Sequence, residues 1–577
     1  MLHNCPQVLV PLTRRRLLRG TLGGAAGLIA WQGWPHLRMA MAQKTAASGQ
    51  MTWAIHVTIA PTWFDPAETP GVITPYMFLY AMHDALVKPM PGNPMTQPFQ
   101  YVPVFCTVLP PREEDAAYLE VTAMLLDTVF APFIKERPIC VMARGVLERL
   151  LDADRVDTLF AYTATQQYTR ELLFSTVVQL MSEVVLGIQP SVHAAYQAHK
   201  EEMGVSTTAL YNKLDRVETT VAAALVRDSA RLAAPVVQAL RANHRRWVPG
   251  YAIKVLDGNH LAATEHRLQE LRGTWAAPLP GQALVVLDQQ RMVITDVILN
   301  EDGHAQERRG IPEVLHRVSA GDLWIADRNF CTLGLLCGIA RRGAAFLIRQ
   351  HGQLQGELLE TRTRQGVTRS GTVYEQAMVV TDPVSGEGLP IRRITLALKE
   401  PTRDGDTELH LLTNLPAQEV RARTLVEVYA KRWTIETAFF ELTTTLSCEV
   451  RTLGYPKAAL FAFCLALVAY NAVAVIKAAL RRAHGKQKGH TEVSSYYLSL
   501  EIRQTYDGMM VAIPAPHWAV FREMSPAALA ELLCELASSV RLSKYRKHPR
   551  GPKKKPPART AYQNGSHVAT SRLIAQP

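Results

Sequence analysis

The sequence predicts an α/β protein, with a mixed sheet whose strands end in carboxylates, preceded by an all-helical domain. Three observations predict it. Between residues 251 and 350, short apolar strand-like runs alternate with loops and helical stretches. From 124 to 250, apolar residues recur instead at i, i+3 and i+4. After 350, strand-like segments return before a long apolar helix. Composition agrees. A chain of 577 residues, 48% hydrophobic and 20% charged, is neither collagen-like, coiled-coil nor wholly disordered, and holds roughly three or four domains.

Residues 1–42 read as an export signal. Arg14, Arg15 and Arg16 form a twin-arginine arrangement, a Gly/Ala/Leu stretch runs from Gly20 to Trp31, and Ala40-Met41-Ala42 offers a small-residue cleavage site. The apolar stretch is too short for a membrane anchor. Residues 43–97 carry Met51 to Val57, then Phe64-Asp65-Pro66-Ala67, then Met82 to Lys88. These resemble the start of a periplasmic solute-binding protein of the peptide/nickel importer family, where they form a strand, a loop and a helix. The two lobes such a protein needs do not follow, so the resemblance implies a poorly packed N-terminal fragment. Residues 98–123 read as a linker, broken by Pro110-Pro111.

Residues 124–250 form the helical domain. Within it, Ala194 to Met203, Gly204, Ser206 and Thr207 to Leu214 read as helix, turn, N-cap and helix, the spacing of a helix-turn-helix. Thr207, Thr208, Tyr211, Asn212 and Lys213 then become candidates for DNA contact. A plain helical hairpin in a bundle fits the same pattern.

The core occupies residues 251–480. Tyr251 to Asp257 and Asp322 to Asp327 are apolar strands ending in a carboxylate, Ala283–Asp288 and Met292–Leu299 an adjacent strand pair, and Ala345–Arg349 a further strand. Carboxylates gathered at one sheet edge repel unless a cation lies between them, which points to a divalent metal. Asp288 rivals Asp257 as first acid, but Gln289-Gln290-Arg291 gives it a hairpin-like setting. The third acid is Glu436. Tyr429, Arg432 and Glu436 share one face of a helix read over 428–442, and Ile435, Phe439 and Leu442 form its apolar stripe.

Leu256-Asp257-Gly258, Ala326-Asp327-Arg328-Asn329-Phe330 and Tyr429-x-x-Arg432-x-x-x-Glu436 together resemble the signature of a transposase of the insertion-sequence "family four" type, over residues 124–560. The resemblance implies a ribonuclease H-like DDE core with a β-rich insertion, about 350–420. It implies two magnesium ions, with manganese as a substitute, held by Asp257, Asp327 and Glu436. It implies Tyr429, Arg432 and Arg328 at phosphates, Trp433 stacked on a displaced base, and double-stranded DNA (transposon ends and target) bound by a homodimer. The family's lysine seven residues after the Glu is here Thr443. That puts one phosphate contact in doubt, or moves it to another cation.

Ala458 to Ile476 is apolar enough to suggest a membrane span, but Tyr470-Asn471 interrupts it, and it reads as a helix buried against the sheet. Residues 481–577 end in a proline-broken basic tail. Residues 541–577 hold ten Lys/Arg and no acid, suited to non-specific phosphate contact. The eight cysteines form no Cys-x-x-Cys pair and read as free thiols. The reading is a metal-dependent DNA transposase acting in the cytoplasm on the nucleoid, despite the apparent export signal. The simplest account of the front is fusion of an insertion sequence into a solute-binding-protein gene. The alternatives are an exported transporter-protein fragment and an inactive DNA-binding remnant.

Overall fold

The computed structural model describes residues 87–89, 101–103, 130–165, 171–402, 405–488, 493–547 and 566–575. The export signal, most of 43–123 and most of the basic tail lie outside the described residues. The chain divides into two compact units, Met1–Pro110 and Pro111–Pro577. In the first, Val87–Pro89 pairs antiparallel with Tyr101–Pro103. Val87 and Lys88, expected at the end of a helix, are therefore in a strand, and the pairing crosses the boundary expected at residue 97.

The second unit begins with helices α1 (Pro138–Leu150), α2 (Ala153–Thr163), α3 (Phe174–Leu186), α4 (Val192–Ala198), α5 (Thr207–Leu214) and α6 (Thr219–Ala239). Their starts are fixed by local chemistry. Asp152 accepts from Arg155 N, Ser191 from Ala194 N and Ser206 from Ala209 N, each satisfying an orphan first-turn donor. Gly204, at φ 63°, takes the left-handed turn before α5.

A large mixed sheet follows. Along its main path the strands are β1 (Ala252–His260), β2 (Gln282–Asp288), β3 (Val293–Asn300), β4 (Asp322–Ala326), β5 (Ala345–Arg349), β6 (Thr363–Val367), β7 (Gly371–Thr381), β8 (Gly388–Leu398) and β9 (Glu408–Thr413), with the short strand Glu357–Leu358 pairing β7 off this path. They lie in the order β6-β7-β8-β9-β5-β4-β1-β2-β3. β1, β4 and β5 run parallel, and β2 runs antiparallel to both β1 and β3. The β-rich stretch after residue 350 is not a separate sheet. β9 pairs antiparallel with β5, Leu412 opposite Ile348, so β6–β9 extend the core sheet at one edge.

Period-2 alternation sends side chains to two layers. Val255, Val285, Leu323, Ile325 and Leu347 join the large cluster under the helices. Leu256, Val286, Trp324, Ala326 and Phe346 face a smaller cluster with α7 (Ile311–Arg317) and α8 (Leu333–Ala340). Further helices are α9 (Ala422–Tyr429), α10 (Trp433–Thr445), α11 (Pro456–Lys488, kinked at Gly485), α12 (Ser495–Ala512) and α13 (Pro526–Ser538). The helix expected over 428–442 is broken, because Ala430–Arg432 tightens into a 3₁₀ turn between α9 and α10.

α11 is long and apolar enough to cross a membrane, but its apolar window is wholly buried in the protein, packed on α6, α3, α13 and β3. Asn471, the polar interruption in the sequence, explains its seat. The amide oxygen accepts from Ile294 N at 2.8 Å, and the amide nitrogen donates to Ile294 O and Ser229 Oγ, both at 2.9 Å. One side chain thus pairs with edge strand β3 as a neighbouring strand would.

Candidate active site

β1 and β4 supply the first two acids. Their parallel register pairs Val255 with Ile325, so two residues further on Asp257 stands level with Asp327 on the neighbouring strand. Asp327 directly follows the last residue of β4, whereas β1 runs on to His260 paired with β2, so Asp257 lies within its strand rather than at the end expected from sequence. The 3₁₀ turn at 430–432 and the start of α10 bring Arg432 and Glu436 to the same place. Arg432 Nη1 donates to Asp257 Oδ2 at 3.1 Å, and Nη2 donates to Glu436 Oε1 at 2.6 Å. Burial pushes the Tyr429 phenol up to about 12, with the neighbouring Arg432 pulling it down, so its hydroxyl stays neutral at neutral pH.

Burial is the largest influence on Asp257 and pushes its carboxyl up to about 7. Arg432 pulls it down, while Asp327 and Glu436 push it further up. Gly258 N also donates to Asp257, at 3.0 Å. Three acids thus influence one another around a single bridging guanidinium.

Among the described residues, no group of three or more His, Cys, Asp or Glu side chains is placed to hold a metal ion. The ligand set expected of Asp257, Asp327 and Glu436 is not assembled, and Arg432 bonds two of its three members. The donors nevertheless fit a divalent cation chemically. All are carboxylate oxygens, the ligands of magnesium and manganese. Burial raises the cost of charge on Asp257, and Asp327 and Glu436 add to it, so a divalent cation would relieve what Arg432 relieves only in part. A cation entering here competes with Arg432 for Asp257 and Glu436.

Asp327 has a second support that the sequence did not suggest. Its Oδ1 accepts from Asn329 N at 2.9 Å. Asn329 is clamped in turn, its side-chain amide hydrogen-bonded to Glu307 and its carbonyl accepting from Arg308 Nε at 2.7 Å. Glu307 presses so closely on β1 that a Cβ at Gly258 would overlap its carboxylate. Gly258 is therefore required by close approach rather than by its backbone angles. An open cleft of about 490 Å³ beside these groups is lined by His260, Gln306, Glu307, Arg308 and Asn329. Glu307 lies in a polar loop with no motif to mark it.

The other candidates divide. Trp433 is 61% exposed, with the Arg432 guanidinium 5.5 Å from its ring centroid. Arg328 is exposed beside Asp327. Thr207, Tyr211 and Lys213 lie on α5 in the helical layer, on an element that supplies none of the acids. Thr207 and Tyr211 are half-buried, and Thr208 and Asn212 are exposed. The Lys213 ammonium sits 4.4 Å from the Phe160 ring centroid, so it is engaged within the bundle. Asp288, the rival acid, is occupied by a hairpin. It accepts from Gln290 N and Arg291 N and pairs with Arg291 Nη1 at 2.8 Å. Thr443 is exposed, and its hydroxyl bonds back to the carbonyls of Phe439 and Phe440.

Residues 249–472 match the family described as Transposase DDE domain, and this stretch contains Asp257, Asp327 and Glu436. The match supports a transposase DDE domain within the chain. No curated protein matches the chain. Among solved structures, the chain is similar to a piggyBac transposase synaptic complex with hairpin DNA. The identity is 11% and the TM-score 0.34, over 67% of this chain and 84% of that one, a likeness too low to set the fold.

Proposed function

We propose that the chain is a DNA transposase of the insertion-sequence "family four" type, cleaving and joining strands at the element's ends with divalent metal. The observation that carries the reading is the convergence of Asp257 and Asp327, from adjacent parallel strands, with Arg432 and Glu436 from the start of α10. The order β3-β2-β1-β4-β5, with β2 alone antiparallel, supports a ribonuclease H-like core.

Asp257, Asp327 and Glu436 would hold two magnesium ions, or manganese in their place. Such ions supply charge neutralisation to an in-line phosphodiester displacement and activate the attacking hydroxyl. The chain's own groups do the positioning. Arg432, once a cation displaces it from Asp257 and Glu436, presents a planar fork suited to two phosphate oxygens, and Tyr429 helps position the phosphate beside it. Trp433 offers an exposed face for a base displaced from the duplex. Arg328, exposed beside Asp327, faces the same DNA. α5 meets it through Thr207 and Tyr211, and through Lys213 once that side chain leaves Phe160.

The partner is double-stranded DNA, as transposon ends and target, held by a homodimer in the cytoplasm on the nucleoid. The stretch 1–97 is the fused front of a solute-binding-protein gene. A chain starting at Met124 then cleaves as well as the full chain. Unfolding of that shortened chain overturns the fusion.

The test uses the purified full chain and DNA containing the sequences that flank its own gene. Magnesium-dependent nicking at a fixed position is expected, and Asp327→Ala abolishes it. Undiminished nicking by Asp327→Ala overturns the assignment of the acids.

A further inference from the structure

Residues 241–250 join α6 to β1, and they are anchored. His244 N donates to Gln290 O at 2.8 Å, and Arg481 Nη2 donates to Ala242 O at 3.3 Å. Trp247 packs half-buried against the large core, so its indole is a fixed platform. Two cations use it. The Arg245 guanidinium and the Lys431 ammonium each lie 5.0 Å from the Trp247 ring centroid. Arg245 and Arg246 are exposed. Among the described residues, none of Arg245, Arg246 and Lys431 pairs with a carboxylate.

Two like charges on one aromatic ring repel each other, and the ring quadrupole does not cancel that repulsion. An anion between them does. The position is informative, because Lys431 directly precedes Arg432, which bonds Asp257 and Glu436. Thr443, one turn from the end of α10, brings no charge, and its hydroxyl is turned back on its own helix.

We propose that Arg245 and Lys431, seated on Trp247, form a clamp for a DNA backbone phosphate next to the phosphodiester that reacts at Asp257, Asp327 and Glu436; the proposal rests on the transposase reading. The clamp reads no base. It fixes the strand's path between the helical layer and the catalytic edge. Trp247 is a positioning residue that both cations contact.

The experiment measures affinity of the full chain for a random-sequence DNA duplex across a salt series. Arg245→Gln, Lys431→Gln and the double variant are compared with the unmutated chain. Loss of one phosphate contact makes the slope of log affinity on log salt shallower by about 0.9. Between about 50 and 200 mM salt this is roughly a 3.5-fold smaller drop in affinity. The double variant is expected to show that change, Lys431→Arg to restore the original slope, and Trp247→Leu to behave like the double variant. Arg245 is exposed, so Arg245→Gln also tests the clamp in a protein whose fold is not challenged. Unchanged affinity and slope in Arg245→Gln and in the double variant overturn the clamp. Site-specific nicking by the unmutated chain, measured alongside, leaves the transposase reading standing in that event. If the unmutated chain neither binds nor nicks DNA, both fall.

Discussion

Arg432 and Asp257 lie on different sides of the β-rich stretch after residue 350, yet a 3.1 Å hydrogen bond joins Nη1 to Oδ2, with the other arm of the guanidinium on Glu436. A buried carboxylate with two acidic neighbours is costly, and the guanidinium offsets part of that cost. A divalent cation would offset more. Magnesium or manganese is therefore expected to raise the melting temperature of the full chain, and EDTA to reverse the effect. At a concentration a hundredfold above Kd the gain is about 2.7 kcal/mol. Asp257→Asn removes a ligand and should abolish most of this shift. Equal metal-induced shifts in both proteins would place the binding elsewhere.

Gly258→Ala tests the support of Asp327. The added methyl displaces the Glu307 carboxylate, which frees the Asn329 amide, and Asn329 N in turn holds Asp327. Displacement of a reacting group by about 1 Å costs on the order of a hundredfold in rate. A loss of that order in single-turnover cleavage is expected, with little change in melting, since the displaced group is the end of a flexible side chain. Full activity in Gly258→Ala would show that Glu307 does not position Asp327.

Asp257 and Asp327 could be read from sequence because each follows an apolar run, although β1 continues past Asp257 to His260. Arg432 and Glu436 could be read because four residues on a helix is a contact distance. Other relationships left no local trace. The 3₁₀ turn at 430–432 contains neither Gly nor Pro, so tertiary packing makes it. Lys431 meets Trp247 across almost the whole core, and Glu307 meets Gly258 through a loop without periodicity. Lys213 reads as a candidate DNA contact because charge on a second helix suits phosphate, while its contact with the Phe160 ring left no trace in the spacing. The strands after 350 could be recognised singly, but not that they continue the core sheet, because edge pairing depends on backbone groups that every residue carries.

Asp215 gives a pH dependence of known sign. Burial is the main cause that pushes its carboxyl up to about 6, with Arg216 pulling it down. The folded state therefore holds the proton more tightly than the unfolded chain does. Its stabilising contribution is complete below about pH 4 and is lost as pH rises through about 6. Asp215→Asn keeps the neutral form at every pH. The variant should melt higher than the unmutated chain at pH 7, by on the order of 2 kcal/mol, and no higher at pH 4. A constant difference across that range would contradict the titration.

Thr443→Lys adds a cation to the exposed face of the last turn of α10. Only a back-bond to Phe439 and Phe440 is lost, and a lysine at a helix C-terminus is favourable, so stability should change by less than about 0.5 kcal/mol. Affinity for element-end DNA should rise, with a salt slope steeper by about 0.9 if one phosphate is engaged. A clear fall in affinity would mean that this face of α10 is turned away from DNA.

Asn471→Leu probes the seat of the core helix. The substitution keeps the branching and the number of heavy atoms and adds apolar surface inside an already apolar helix, so hydropathy alone predicts a gain. The hydrogen bonds predict a loss. Ile294 N, Ile294 O and Ser229 Oγ each lose a partner at a fully buried site. An unpaired buried polar group costs about 1–3 kcal/mol. Ser229 retains its own bond to Val226 O, so the two strand groups of Ile294 dominate. A destabilisation of about 2–5 kcal/mol in chemical denaturation is expected. Asn471→Asp should also be destabilising, because a carboxylate accepts from Ile294 N but cannot donate to Ile294 O when ionised. If Asn471→Leu proves as stable as the unmutated chain, β3 is held by the apolar packing of α11 alone, and the amide is not what fixes the helix against the sheet edge.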